Sequence, residues 1–191
     1  DAQGRTLLSV LFGAHDANDA SGPQAAIHET AWTQPALFAV EMATTALWRA
    51  WGIEPAAVIG HSVGEYAAAC AASVFTLEEG IGLIADRGRL MQALPPGGAM
   101  AAVFAPADTV RSALAGHAGR IDIAAINAPD SVVISGEAAV VDAVLADFAT
   151  RDIQGQRLFV SLAAHSPLVE PALDAMQACA ARVAMRAPQL P

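Results

Sequence analysis

Between Ala56 and Ala72 the chain reads AAVIGHSVGEYAAACAA, and no other stretch limits the possible folds as much. Ala56–Ile59 reads as a short apolar strand, Gly60-His61-Ser62-Val63-Gly64 as a tight turn, and the alanine-rich run after it as a helix. A Gly-x-Ser-x-Gly turn between strand and helix is a nucleophile elbow. Its two glycines are expected where a Cβ would crowd the sharp turn. Ser62 then sits at the tip, over a helix N-terminus whose unpaired N–H groups and positive dipole end favour negative charge. The backbone N–H of Val63 is a candidate oxyanion donor. A bare five-residue match is as often a plain Gly/Ser turn; the flanking strand and helix tip the reading toward a nucleophile.

A serine hydroxyl needs a base. Of the five histidines, His15 and His28 fall in a polar, Gly/Asp/Asn-rich stretch that reads as a solvated loop, and His117 ends a helix. His61 adjoins Ser62, but neighbours in a tight turn point apart. His165 lies in Ala163-Ala-His-Ser-Pro167, between a strand and a capped helix, and follows the serine in chain order as in elbow enzymes. It is the leading base. Arg87 lies beside the apolar stripe Ile81, Ile84, Gly88, Met91; a guanidinium facing a pocket there implies a substrate with an anionic group.

The remaining elements follow from start and stop signals. Thr33 is a candidate N-cap for a helix from Gln34 to about Trp51, with Pro35 in its first turn and a broad apolar surface of Leu37, Val40, Met42, Thr44, Leu47, Trp48 and Trp51. Thr76-Leu-Glu-Glu79 is a capping box starting a helix to about Gln92. Pro95-Pro96-Gly97-Gly98 is the best internal boundary. After it come a strand (99–105), a helix (106–117), two strands (121–126 and 131–135), a helix (137–151) and a strand (156–162), the βαββαβ order of a ferredoxin-like unit. Ser166-Pro167 opens a last helix.

Composition narrows the classes. The 191 residues are 54% hydrophobic, enough for a sizeable core. Net charge is −9 and all ten basic residues are arginine, so no basic stripe for nucleic acid exists. No apolar run approaches the roughly 20 residues of a membrane span, and no secretory leader opens the chain. Cys70 and Cys179 read as buried free thiols of a reducing cytoplasm, and no Cys/His cluster has metal-ligand spacing. The abrupt ends suggest a piece of a longer polypeptide.

Five ordered motifs, TQPALFAVE (33–41), GHSVGEYAAA (60–69), a capped helix ending in DRGRLM (86–91), INAPDSVVISG (126–136) and AAHSPLVEP (163–171), resemble the acyltransferase domains of type I modular polyketide synthases. They are also similar to malonyl-CoA:acyl-carrier-protein transacylases. The resemblance covers essentially everything after residue 30. It implies an α/β fold: an α/β-hydrolase-like large subdomain (1–97 and 162–191) with an inserted ferredoxin-like small subdomain (98–161).

The same resemblance implies roles. Ser62 is the acylated nucleophile and His165 its base, later the acid for the leaving thiol. Arg87, twenty-five residues after the serine, matches the arginine that pairs with an extender's free carboxylate. His61 and Gln34 match residues around the pocket. Val63 stands at the variable elbow position, aliphatic in malonyl-selective members and often Gln in methylmalonyl-selective ones. The histidine is oriented by backbone carbonyls, which fits the absence of an obvious triad acid. No bound cofactor is implied; the substrate is malonyl-CoA and the acceptor the phosphopantetheine thiol of an acyl carrier protein. A ketosynthase domain of the same polypeptide is the implied neighbour, with no nucleic acid or membrane partner. Two departures stand out. The family's opening Gly-Gln-Gly segment, source of a second oxyanion donor, is not in this sequence, and neither are the last strand and helix of the large subdomain. An inactive fragment is therefore one expectation. The motif before the histidine is Leu162-Ala163-Ala164-His165, neither the His-Ala-Phe-His of malonyl nor the Tyr-Ala-Ser-His of methylmalonyl members, and Ala164 leaves room for a branched extender. Two rival readings remain: a serine hydrolase such as a thioesterase, with Asp130 or Asp152 as triad acid, and a non-catalytic docking module.

Overall fold

The computed structural model describes residues 6–13, 26–160 and 162–191. Expectations for His15, for most of the N-terminal loop and for Ser161 lie outside them. In chain order the helices and strands are α1 (Leu7–Phe12), α2 (Thr30–Ala50), α3 (Gly64–Ala71), α4 (Leu77–Gln92), β1 (Gly98–Val103), α5 (Ala107–Leu114), β2 (Ile121–Ala128), β3 (Ser131–Glu137), α6 (Ala138–Thr150), β4 (Gly155–Arg157) and α7 (Leu173–Ala180). The chain is α/β. It divides into two compact units, Asp1–Gln92 with Asp174–Pro191, and Ala93–Leu173.

Among its described residues the first unit is helical. Its centre is the α2–α4 pair, and glycines on α4 set how closely the two helices approach. A Cβ on Gly80 would fall 2.7 Å from the Phe38 ring, and one on Gly88 would fall 2.9 Å from the Thr30 carbonyl. The buried stripe of α4 is Gly80, Leu83, Ile84, Gly88 and Met91. The capping box at its start is formed: Glu79 N–H donates to Thr76 Oγ1 (3.2 Å) and Thr76 N–H to Glu79 Oε2 (2.7 Å).

Helix α2 departs from expectation twice. It starts at Thr30, behind Glu29, so Thr33 is no cap; the Thr33 hydroxyl instead donates to the Ile27 and Glu29 carbonyls. Pro35 consequently lies inside the helix, where its missing N–H leaves no fourth-residue bond to Ala31. Its buried residues are Gln34, Pro35, Ala36 and Phe38, whereas Leu37, Val40, Leu47, Trp48 and Trp51 are exposed. The broad apolar surface is real in sequence, but the described residues of this unit bury only its first third. The C-terminal stretch returns to the unit by main-chain bonds: Arg186 N–H to Val74 O and Gln189 N–H to Ala72 O, both 2.8 Å.

The second unit runs β1-α5-β2-β3-α6-β4 around an antiparallel sheet of order β2-β3-β1-β4. Alternation along β1 turns Ala99, Ala101 and Val103 inward, while central β3 is buried from Val132 to Gly136. Val110 of α5 and Val141, Val144 and Phe148 of α6 close the core. The helix expected at 106–117 breaks at Leu114 into a 3₁₀ turn, Ala115–His117. The last strand is shorter than the expected 156–162; just beyond Arg157, Leu158 N–H donates to Met100 O at 2.8 Å. The unit reaches past residue 161 to Leu173, taking in the His165 loop, because Ala163 packs on Gly98, where a Cβ would fall 2.6 Å from the Ala163 Cβ.

Candidate active site

The strand expected before the elbow is an irregular segment with no ladder among the described residues; Val58 N–H donates to Pro191 O at 2.9 Å. A strand is defined by its partners, and periodicity cannot supply them. The turn itself is tight. Gly64, Glu65 and Tyr66 N–H reach back to the carbonyls of His61, Ser62 and Val63, each at 3.1 Å. Ser62 has φ +54°, a left-handed conformation that costs a residue with a Cβ about 1–2 kcal/mol. His61 is exposed, while Ser62 and Val63 are half-buried.

The two motif glycines are not equivalent. A Cβ on Gly60 would lie 2.2 Å from Glu65 N and 2.3 Å from Glu65 Cα, which backbone cannot yield. A Cβ on Gly64 would meet only Glu41 Oε1, at 3.7 Å, an ordinary contact. The steric expectation therefore holds for Gly60 and fails for Gly64. Glu41, on α2, thus lies against the first turn of the elbow helix. Burial pushes its carboxyl above the ordinary range, and its Oε2 is buried without a hydrogen-bond partner among the described residues.

The anion-binding candidate is built from α2, α3 and α4. Gln34, 4% exposed, donates from Nε2 to Thr30 Oγ1 (2.8 Å) and to Met91 Sδ (3.4 Å), and its Oε1 accepts from Arg87 Nη1. A guanidinium only donates, so the amide oxygen must face it. The Arg87 guanidinium also lies over the Tyr66 ring, 5.9 Å from its centroid. Burial pushes Arg87 below its ordinary value, with Tyr66 acting the other way; an arginine still stays protonated. Eight of the nine described arginines are in ion pairs. Arg87 is the exception: among the described residues it meets no carboxylate, yet it is the one pushed down by burial. An unpaired, partly desolvated cation held by neutral groups is a receptor for an anion. Beside it a cavity of about 260 Å³, lined by Tyr66, Phe75, Leu83, Arg87, Met176 and Met185, is mostly apolar.

The second unit carries His165 and Ala164. His165 is exposed with φ +59°. Its loop is anchored on both sides: Ala163 is buried, and Ser166 Oγ donates to Ala163 O (2.8 Å) while accepting from Leu168 N–H (3.3 Å) as the cap of the 3₁₀ turn Pro167–Ala172. Ala164 is half-buried. Asp130 and Asp152, the acids a hydrolase would recruit, are exposed in turns. Cys70 and Cys179 are free thiols, and no metal-binding cluster occurs among the described residues. No helix among them is long and apolar enough to cross a membrane.

Sequence reasoning brought Ser62, Arg87 and Gln34 forward but missed Tyr66, Thr30, Met91 and Glu41. Helical spacing held a usable signal. Thr30 is four residues before Gln34, Met91 four after Arg87, and Glu41 two turns beyond Gln34, while Tyr66 falls in the first turn of the helix after the elbow.

With this geometry in hand, the comparisons are informative. A family model described as "Acyl transferase domain" matches residues 3–191. A type I phenolphthiocerol synthesis polyketide synthase of Mycobacterium marinum is 51% identical over 166 residues, 87% of this chain and 8% of that protein. The acyltransferase domain from the second module of the salinomycin polyketide synthase superimposes with a TM-score of 0.88 at 44% identity, covering all of this chain and 43% of that one. Malonyl-CoA:acyl carrier protein transacylase of Xanthomonas oryzae pv. oryzae gives 0.84 at 40% identity, covering 90% and 57%. The chain thus spans a small fraction of the curated relatives and about half of the solved domains it matches.

Proposed function

The chain belongs to the acyl transferase domain family and is an acyltransferase, and from that premise we propose that it moves a malonyl-type extender from coenzyme A to the phosphopantetheine thiol of an acyl carrier protein. The observation that carries this reading is the unpaired Arg87 guanidinium held between Gln34 and Tyr66. A simple acyl group has no use for a cation; a malonyl group has a free carboxylate that matches the fork.

The reaction is ping-pong. His165 takes the Ser62 hydroxyl proton as Oγ attacks the thioester carbonyl, and the Val63 N–H stabilises the oxyanion. The C–S bond breaks, and the CoA sulfur leaves with the proton from His165. An O-malonyl-Ser62 ester remains, its carboxylate on Arg87. The carrier thiol then gives its proton to His165 and attacks the ester, and Ser62 recovers the proton as its C–O bond breaks. The architecture proposed for this is the α/β-hydrolase-like part with the βαββαβ unit inserted as a ferredoxin-like subdomain. A carrier protein and a ketosynthase domain are the proposed partners, in a cytoplasmic polyketide synthase. Val63 favours malonyl over methylmalonyl, while Ala164 leaves space for a branch.

The test pairs malonyl-CoA and acetyl-CoA with a carrier protein. Arg87→Ala is expected to lose malonyl transfer while keeping or gaining acetyl transfer. Unchanged malonyl transfer in that variant overturns the assignment, and release of free malonate with no carrier adduct supports a hydrolase instead.

A further inference from the structure

Holding a carboxylate bidentately demands that a guanidinium be fixed in plane as well as in place. Gln34 alone does not do this. It engages a single nitrogen, Nη1, and a group held at one point can pivot about it. The second constraint comes from the opposite helix: the Tyr66 ring lies under the guanidinium at 5.9 Å. A contact on the face fixes the plane, and a hydrogen bond on the edge fixes the position.

Tyr66 is also placed to tie this orientation to the nucleophile. It stands four residues after Ser62, in the first turn of the helix α3 that follows the elbow, so only Val63, Gly64 and Glu65 separate the ring-bearing residue from the nucleophile. Tyr66 and Arg87 both wall the 260 Å³ cavity, so a shorter residue at 66 would enlarge empty space beside the guanidinium. The other aromatic in that lining, Phe75, packs against Gly80.

We propose that Tyr66 is a positioning residue for extender choice: its ring sets the plane of the Arg87 guanidinium, and through that plane the preference for an acyl group with a free carboxylate. This rests on the reading of Arg87 given above. Tyr66 touches no reacting atom; it acts through Arg87.

The distinguishing measurement is the ratio of kcat/KM for malonyl-CoA to that for acetyl-CoA. A cation–π contact of this kind is worth a factor of about ten at a partly desolvated site. Tyr66→Leu is expected to lower the ratio about tenfold through the malonyl value alone, with acetyl transfer kept. Tyr66→Phe keeps the ring face and is expected to stay within about twofold of the parent. A merely structural role would lower both substrates together and leave the ratio unmoved; that result in Tyr66→Leu overturns the inference. Tyr66→Met serves if the leucine variant does not fold, with the same expectation. A Tyr66→Phe variant as impaired as Tyr66→Leu also overturns it, because the ring face would then not be what matters. Arg87→Ala is run alongside. If it loses the malonyl preference and Tyr66→Leu keeps it, only this inference fails; if Arg87→Ala keeps the preference, the reading of Arg87 falls and this inference with it.

Discussion

Exchanging each elbow glycine for alanine should give opposite results. At Gly60 the added methyl would fall 2.2, 2.3 and 2.5 Å from Glu65 N, Glu65 Cα and Gly64 C. Contacts under 3.4 Å are already tight for a Cβ, so the overlap exceeds an ångström, and all three atoms are backbone. No rotamer relieves it; the first turn of α3 has to move away from the bend. A displacement of about 1 Å at a reacting group costs on the order of a hundredfold in rate. The folding cost falls in the exceptional range above about 4 kcal/mol. At Gly64 the methyl meets one carboxylate oxygen at 3.7 Å, and Gly→Ala in a helix gains up to about 1 kcal/mol. Gly60→Ala is therefore expected to lose acylation by at least a hundredfold, and Gly64→Ala to melt at or above the parent temperature with acylation kept. The assay is intact-mass detection of a malonyl adduct at Ser62 against time of exposure to malonyl-CoA, alongside thermal melting. Parent-like acylation by Gly60→Ala, or a collapse of both melting temperature and acylation in Gly64→Ala, would refute the steric account of the elbow.

Two further predictions concern stability. Burial raises the Glu41 carboxyl above 4.5, so its contribution is fully present below the unfolded value and is lost as pH rises through the folded one. Glu41→Gln should therefore raise the melting temperature at pH 7 and leave it nearly unchanged at pH 4; a shift of equal size at both, measured by calorimetry, would show that burial of charge is not the cause. Phe148 is fully buried in the core of the second unit, so Phe148→Ala should cost about 3–5 kcal/mol in denaturant unfolding, and a loss below about 1.5 would contradict the packing described.

What the sequence shows well is local. The Thr76/Glu79 box, the sharp elbow and the alternation along β1 are each written within seven residues. What it shows poorly is decided across distance. Pro35 marks a first helical turn statistically, yet the helix begins earlier, where Gln34 bonds back to Thr30 and reaches Arg87, a partner 53 positions away. The segment before the elbow looks like a strand because it is apolar, but a ladder requires neighbours that the described residues do not provide. The cluster around Arg87 escaped notice for a related reason: Gln34 pairs with Thr30 on its own helix, and the close packing of α4 on α2 that Gly80 and Gly88 permit is what brings Arg87 to it. Family resemblance brought Gln34 forward without a reason; the hydrogen bond to Arg87 supplies one.

Four non-glycine residues among those described have positive φ: Ser62, Ser73, Asp152 and His165. Two of them are the proposed nucleophile and base. At both positions folding and chemistry pull apart, since a glycine would adopt the same backbone with less strain and carry no reactive group. The molecule keeps serine and histidine where its own backbone would prefer neither, so drift toward a more stable chain leads away from a working one.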